Sequence, residues 1–227
     1  MEIPNSFVQT LGKLESQMKK LNIALANTKL MYDCGSMELA YEVAMQMEIV
    51  AERTVMLTRA LPAYMGNPLA ADEIETIIEA SIPVAMGFTH NGWFSVRIPL
   101  LLPKKEEGSA DYIRSFLYPA MKRFFRDKEP VRYHDCVLIY RHVYSRHRPE
   151  RQFRDHDNIE SNMVSDIVAL YVMEDDSPSV CCHYECSAAA NFERTEVYVV
   201  PQQDFPVWLE MEKTMPDEGV MLYDNRL

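Results

Sequence analysis

Residues 131–144 read VRYHDCVLIYRHVY, a run dominated by aliphatic, aromatic and β-branched side chains. This composition, with the apolar segment 136–140 at its centre, predicts a long β-strand. After a basic loop, apolar residues at helical spacing predict a helix over about residues 158–171. Two further strands are predicted at 180–187 and 195–201, followed by an acidic tail.

The residues before this strand continue the mixed pattern. β-Branched and aromatic residues predict a strand over 93–102, and apolar residues at helical spacing predict a helix over 110–126, which Pro119 is expected to kink. Strands and helices in this order indicate an α/β or α+β domain with a small mixed sheet.

The first sixty residues predict two helices on either side of a break at 34–36. Apolar residues recur at alternating intervals of three and four, from Leu11 to Leu25 and from Val43 to Leu61. Each helix then carries one narrow apolar stripe. Such stripes suit an antiparallel hairpin that packs on the rest of the chain or on a second copy.

A shorter third helix is predicted over about residues 72–80, with Asp72 as its N-cap. Its inward side chains are expected to be Ile74, Ile77 and Ile78. The whole chain is therefore expected to be α+β, with a helical module over residues 1–90 and a second domain over residues 91–227.

Composition narrows the class of protein. A net charge of −11 over 227 residues argues against a protein that coats nucleic acid without specificity. Five cysteines and no apolar leader favour a reducing compartment, so a cytoplasmic location is expected. No apolar stretch approaches the roughly 20 residues that a membrane-spanning helix needs.

Acidic residues cluster at both ends of the predicted helix 158–171. Asp155 and Asp157 precede it, and Asp175 and Asp176 follow it. Carboxylate oxygens are the ligands that Mg²⁺ or Mn²⁺ prefers, and a cation relieves their mutual repulsion. If the chain doubles back after the helix, these acids can share one ion that activates water for hydrolysis.

Two structural interpretations compete with a metal site. Asp157 and Glu160 have the spacing of a helix capping box, and residues 175–178 read as a polar turn. The segment 181–186 contains three cysteines and a histidine. In a strand, however, Cys181, His183 and Glu185 face away from the other two cysteines, so structural zinc is not expected there.

A strongly basic segment precedes the first acidic cluster. Residues 141–154 hold five arginines and two histidines, and Glu150 is the only acid among them. Arginines that bind backbone phosphates beside metal-bound carboxylates are typical of a phosphodiester-cleaving site. The alternative is a solvated loop whose arginines pair with surface acids. The arginines are Arg141, Arg146, Arg148, Arg151 and Arg154.

With the basic loop and both acidic clusters in view, residues 154–176 resemble the RusA family of Holliday-junction resolvases. That family has Asp-x-Asp-Asn, a helix, and then a paired Asp-Asp before a strand. The matching residues here are Asp155, Asp157, Asn158, Asp175 and Asp176, and Asp166 stands near the family's mid-helix aspartate. Ser161 occupies the position of the family's usual lysine. The resemblance covers about half of the chain.

The resemblance implies a RusA-like domain and a Mg²⁺- or Mn²⁺-dependent endonuclease that cleaves branched or structured DNA or RNA. Asp155, Asp157 and Asp176 would be catalytic, and Asp175 would join them as a metal ligand. A homodimer is expected. An acidic RusA-like chain with added helices also resembles anti-CRISPR proteins of mobile elements, which act on a CRISPR effector nuclease or its guide RNA. The third alternative is a degenerate, non-catalytic interaction protein.

Overall fold

A computed structural model describes residues 5–129, 131–150 and 153–225. The chain divides into two compact units. The first comprises the residues up to Ile77 together with Glu106–Tyr112, and the second comprises Ile78–Lys105 and the residues from Ile113 onward. Within the described residues, none of the helices combines the length and apolar character that crossing a membrane requires.

The first unit is built on the predicted helical hairpin. Helix α1 spans Asn5–Asp33 and α2 spans Met37–Ala60, joined by a tight turn at Gly35, whose φ is +77°. A 3-10 turn, Leu61–Met65, continues α2, and helix α3 follows at Ala70–Ser81. The break at 34–36 and both long helices confirm the sequence prediction.

The second unit contains a five-stranded mixed sheet. Its strands are β1 (Ala85–Phe88), β2 (Phe94–Ile98), β3 (Cys136–Ser145), β4 (Cys181–Ala190) and β5 (Arg194–Pro201), in the spatial order β1-β2-β5-β3-β4. Strands β3 and β4 are parallel, and the other neighbours are antiparallel. The α+β class with a small mixed sheet is therefore confirmed.

Three helices accompany this sheet: α4 (Ser109–Phe124), α5 (Asn162–Val172) and α6 (Phe205–Glu212). One sheet face packs against Trp208 of α6 through Ile139 and Tyr198. On the opposite face, the Tyr140 hydroxyl lies 2.7 Å from the Ser165 hydroxyl of α5. Strand β3 is therefore covered on both faces, and its residues 136–144 are all buried.

The structure corrects several local predictions. Helix α5 begins at Asn162, and Asp157 lies in a separate 3-10 turn, His156–Asn158, so it does not cap the helix. Ile77 is 64% exposed and does not point inward. Strand β1 and helix α6 had no counterpart among the predicted elements.

Candidate metal centre

His142 lies in the central strand β3, on the face that packs against α5. Strand alternation places it on the same side as Tyr140 and Tyr144. Its side chain is fully buried, and neither ring nitrogen has a hydrogen-bond partner among the described residues. A buried imidazole normally satisfies at least one ring nitrogen, so the unbonded nitrogens of His142 make it a candidate ligand for an ion.

Glu185 of β4 supplies a carboxylate to the same face. In the parallel pairing of β3 and β4, Glu185 is opposite Tyr140 and Ser187 is opposite His142. The Glu185 Oε2 atom lies 3.6 Å from His142 Nε2. This oxygen is buried and also lacks a hydrogen-bond partner.

The third member is His156, from the 3-10 turn that precedes α5. Its Nδ1 atom lies 3.9 Å from Glu185 Oε2, and its Nε2 atom lies 2.9 Å from the Ser187 hydroxyl. The centroids of the His142 and His156 rings are 5.3 Å apart. The bond to Ser187 fixes the orientation of the ring and directs Nδ1 towards the other two residues.

The spacing of the three residues is compatible with metal ligation. All three ligand atoms lie within 4.8 Å of one another. Hydrogen-bonded N and O atoms would lie about 2.7–3.2 Å apart. Ligands around a tetrahedral ion with bonds of about 2.1 Å are separated by roughly 3.4 Å. The 3.6 and 3.9 Å separations are closer to the second value, so a cation fits between these side chains.

The aspartates predicted from the sequence as metal ligands do not belong to this cluster. Asp155 and Asp157 are exposed on either side of His156 in the chain. Within the described residues, His142, His156 and Glu185 are the only group of three or more potential ligands whose ligand atoms all lie within 4.8 Å of one another. Asn158 is exposed, and its carbonyl accepts a bond from the Lys105 amide.

Asp175 and Asp176 lie in a polar turn after α5. The Asp176 amide donates to Asp175 Oδ1 at 2.9 Å, and the Ser177 side chain holds the pKa of Asp175 below its usual range. Burial and the nearby charge of Asp176 raise the pKa of Asp166. These three acids line an open groove of about 630 Å³ together with Arg132 and Glu174.

The arginines of the basic segment are largely engaged with acidic partners. Arg141 is buried, with Nη1 3.1 Å from Glu196 Oε2. Arg146 pairs with Asp217 at 2.5 Å. Arg148 holds Glu193 through two bonds of 2.6 and 3.1 Å. The Arg154 guanidinium donates to the Leu102 carbonyl, and Arg151 lies outside the described residues.

Comparison with known proteins places the chain in a family. A family model matches residues 3–226, which is almost the whole chain. The chain belongs to DUF6100, a family of unknown function. No curated protein matches this DUF6100 chain. Because the family carries no assigned activity, the resemblance to RusA resolvases stays a prediction.

Sequence patterns contained part of the cluster of His142, His156 and Glu185 in the DUF6100 chain. Alternation within the strand 136–144 groups His142 with Tyr140, and alternation within 181–186 groups Glu185 with His183. The acidic motif 154–158 also contains His156 at its centre. The sequence did not predict the parallel pairing of β3 with β4, which brings these separate segments together.

A second polar pair lies further along the same face of β4. Hydrogen bonding from Cys136, assisted by His183, lowers the pKa of Cys181 to about 5, and the Cys181 thiolate raises the pKa of His183. The face of β4 that carries Glu185 is thus lined by ionisable side chains. Several charged groups at one sheet edge are typical of a site that handles ions or protons.

Proposed function

We propose that this protein is a metal-dependent hydrolase whose ion is held by His142, His156 and Glu185. The observation that carries the proposal is the convergence of three ligand atoms in which His142 Nε2 and Glu185 Oε2 are buried without hydrogen-bond partners. Such an arrangement costs free energy unless a cation occupies it, because buried polar atoms lose their hydration.

The donor set favours a transition metal. Two imidazoles and one carboxylate suit Zn²⁺, Fe²⁺ or Mn²⁺, whereas Mg²⁺ prefers an all-oxygen shell. Of the two ions that the sequence predicted, Mn²⁺ is the better match to these ligands. We therefore expect the affinity for Zn²⁺ and Mn²⁺ to exceed that for Mg²⁺.

Three protein ligands leave a coordination position open to water. A metal-bound water has a much lower pKa than bulk water and becomes a nucleophile near neutral pH. Asp155 and Asp157 are exposed beside His156 in the chain. They are available to accept a proton or to orient the water, which is the role of an acidic residue near such an ion.

For the substrate we propose phosphodiesters in branched or structured nucleic acid. The support is the resemblance of residues 154–176 to RusA resolvases and the basic segment 141–154. Arg146 remains 53% exposed in its ion pair with Asp217, so its guanidinium can exchange that carboxylate for a phosphate.

Metal titration of chelator-treated protein tests the ligand set. Glu185→Gln and His156→Ala are expected to weaken Zn²⁺ and Mn²⁺ binding by at least about tenfold, because each removes one of three ligands. Asp157→Asn and His134→Ala are matched controls that should retain wild-type affinity. Loss of binding in Asp157→Asn with full binding in Glu185→Gln would assign the ion to the aspartates and overturn this site.

Cleavage assays test the substrate separately. Metal-loaded protein is expected to cleave a four-way DNA junction or a hairpin RNA, and Glu185→Gln is expected to abolish that activity. If the metal-loaded protein cleaves neither substrate, the phosphodiester assignment is wrong even where metal binding is intact.

A further inference from the structure

Helix α1 packs through only one side of its surface. It is 29 residues long, and none of its described side chains is buried. Its half-buried side chains include Phe7, Leu14 and Leu21, which repeat at seven-residue intervals. A helix of this length with one narrow seam gains little from tertiary packing, so a second packing partner would stabilise it.

A second apolar stripe runs beside that seam. Met18, Leu25 and Tyr32 are again seven residues apart, and their exposed fractions are 47, 58 and 62%. We call these three residues the outer stripe. Seven-residue repetition of apolar side chains is the pattern of helix-to-helix packing, so the occupant it fits is another helix. Across the turn, α2 also exposes Leu39 and Tyr41.

The charges of α1 and α2 indicate which helices pair between two copies. Helix α1 carries four lysines and two acidic residues, whereas α2 carries four glutamates and two arginines. In a two-fold pairing of hairpins, α1 of each copy can lie against α2 of the other. A helix with two more basic than acidic residues then faces one with two more acidic than basic residues on both sides of the two-fold axis, and such complementary charge suits a two-fold interface.

We propose that the α1–α2 hairpin pairs with the hairpin of a second copy of this chain and forms an antiparallel four-helix bundle around the outer stripe. Bundles of this kind bury apolar stripes between helices that cross at shallow angles. The interface belongs to the first unit, and it does not depend on the metal centre.

Light scattering after size-exclusion chromatography tests the proposal on the full chain. Wild-type protein is expected to have twice the monomer mass. The double variant Met18→Glu/Leu25→Glu is expected to be monomeric, because it places four carboxylates in the bundle. The control Gln9→Glu/Asn27→Glu adds the same charge on the opposite side of α1 and should remain dimeric.

Circular dichroism and metal titration show whether the Met18→Glu/Leu25→Glu variant is folded. Its helical content and Zn²⁺ affinity should equal those of wild type. Wild-type protein that is monomeric at all accessible concentrations would overturn the proposal. A dimer that persists in a folded Met18→Glu/Leu25→Glu variant would overturn it as well.

Discussion

Ser187 is an uncharged residue that we expect to affect the affinity for the proposed ion. Its hydroxyl lies 2.9 Å from His156 Nε2, so it holds the ring in the orientation that directs Nδ1 to the centre. We expect Ser187→Ala to weaken Zn²⁺ affinity by about tenfold, in the range seen for groups that support metal ligands. Isothermal titration calorimetry measures this change. Ser179→Ala, in the polar turn before β4, is the control and should bind as wild type does.

Burial raises the pKa of Asp166, and the nearby Asp176 carboxylate adds to the shift. Because the pKa of Asp166 is raised in the folded chain, its ionisation at neutral pH favours the unfolded state. Asp166→Asn should therefore raise the free energy of unfolding at pH 7, by less than about 1 kcal/mol because the site is exposed. Denaturant unfolding should show that gain disappearing as the pH falls below the ordinary carboxyl pKa. A gain that persisted at low pH would contradict this explanation.

Arg141 has a structural partner in Glu196. Glu196 is fully buried and also accepts bonds from Arg194 Nε at 2.6 Å and from the Tyr198 hydroxyl at 2.8 Å. Glu196→Gln removes the carboxylate that pairs with the buried Arg194 and leaves Arg141 with only its 3.6 Å contact to Glu212, so we expect a loss of about 3 kcal/mol in unfolding free energy. Glu193→Gln, whose side chain and whose partner Arg148 are 32% and 27% exposed, should cost less than about 1 kcal/mol. Equal losses in the two variants would contradict the assignment of Glu196 as a buried partner that stabilises the fold.

At the scale of elements, local pattern predicted the long segments better than their ends. The helix expected from residue 158 begins at Asn162, because Ile159 is buried and pairs in extended conformation with Lys104. The Glu160 amide also donates to the Pro103 carbonyl. These contacts join segments far apart in sequence, and such pairing overrides local helix propensity.

Helix α6 was not predicted from the sequence, for a different reason. Its residues lie in the stretch that composition suggested to be an acidic tail, yet Trp208 is fully buried against the sheet. The eight-residue helix is too short for a clear period to emerge from sequence. The same limit applies to the cluster of His142, His156 and Glu185, since no local pattern reveals which strands become neighbours.

The importance of α6 can be measured directly. Trp208 packs against Tyr198 and Tyr184, with ring centroids 5.8 Å away in both cases. Trp208→Ala should lower the free energy of unfolding by about 3–5 kcal/mol, because it opens a large cavity in the core. Val207 on the same helix is 54% exposed, and Val207→Ala should change stability by less than about 0.5 kcal/mol. Chemical denaturation of both variants measures the difference.

At the scale of the whole molecule, the proposed dimer should respond to salt. The pairing of a basic α1 with an acidic α2 is electrostatic at its rim and apolar at the outer stripe, so added salt screens only the first contribution. We expect the dissociation constant of the dimer to rise moderately with ionic strength. Analytical ultracentrifugation across a salt series measures it, and a constant that falls with salt would contradict the charge pairing.

A metal ion is proposed to bind between β3, β4 and the turn at residues 156–158. Anomalous diffraction from crystals soaked with Zn²⁺ or Mn²⁺, recorded at the absorption edge of each metal, tests it most directly. We expect one strong peak within about 2.3 Å of His142 Nε2, His156 Nδ1 and a Glu185 carboxylate oxygen. A peak among Asp155, Asp157 and Asp176, or no peak in fully soaked crystals, would contradict it.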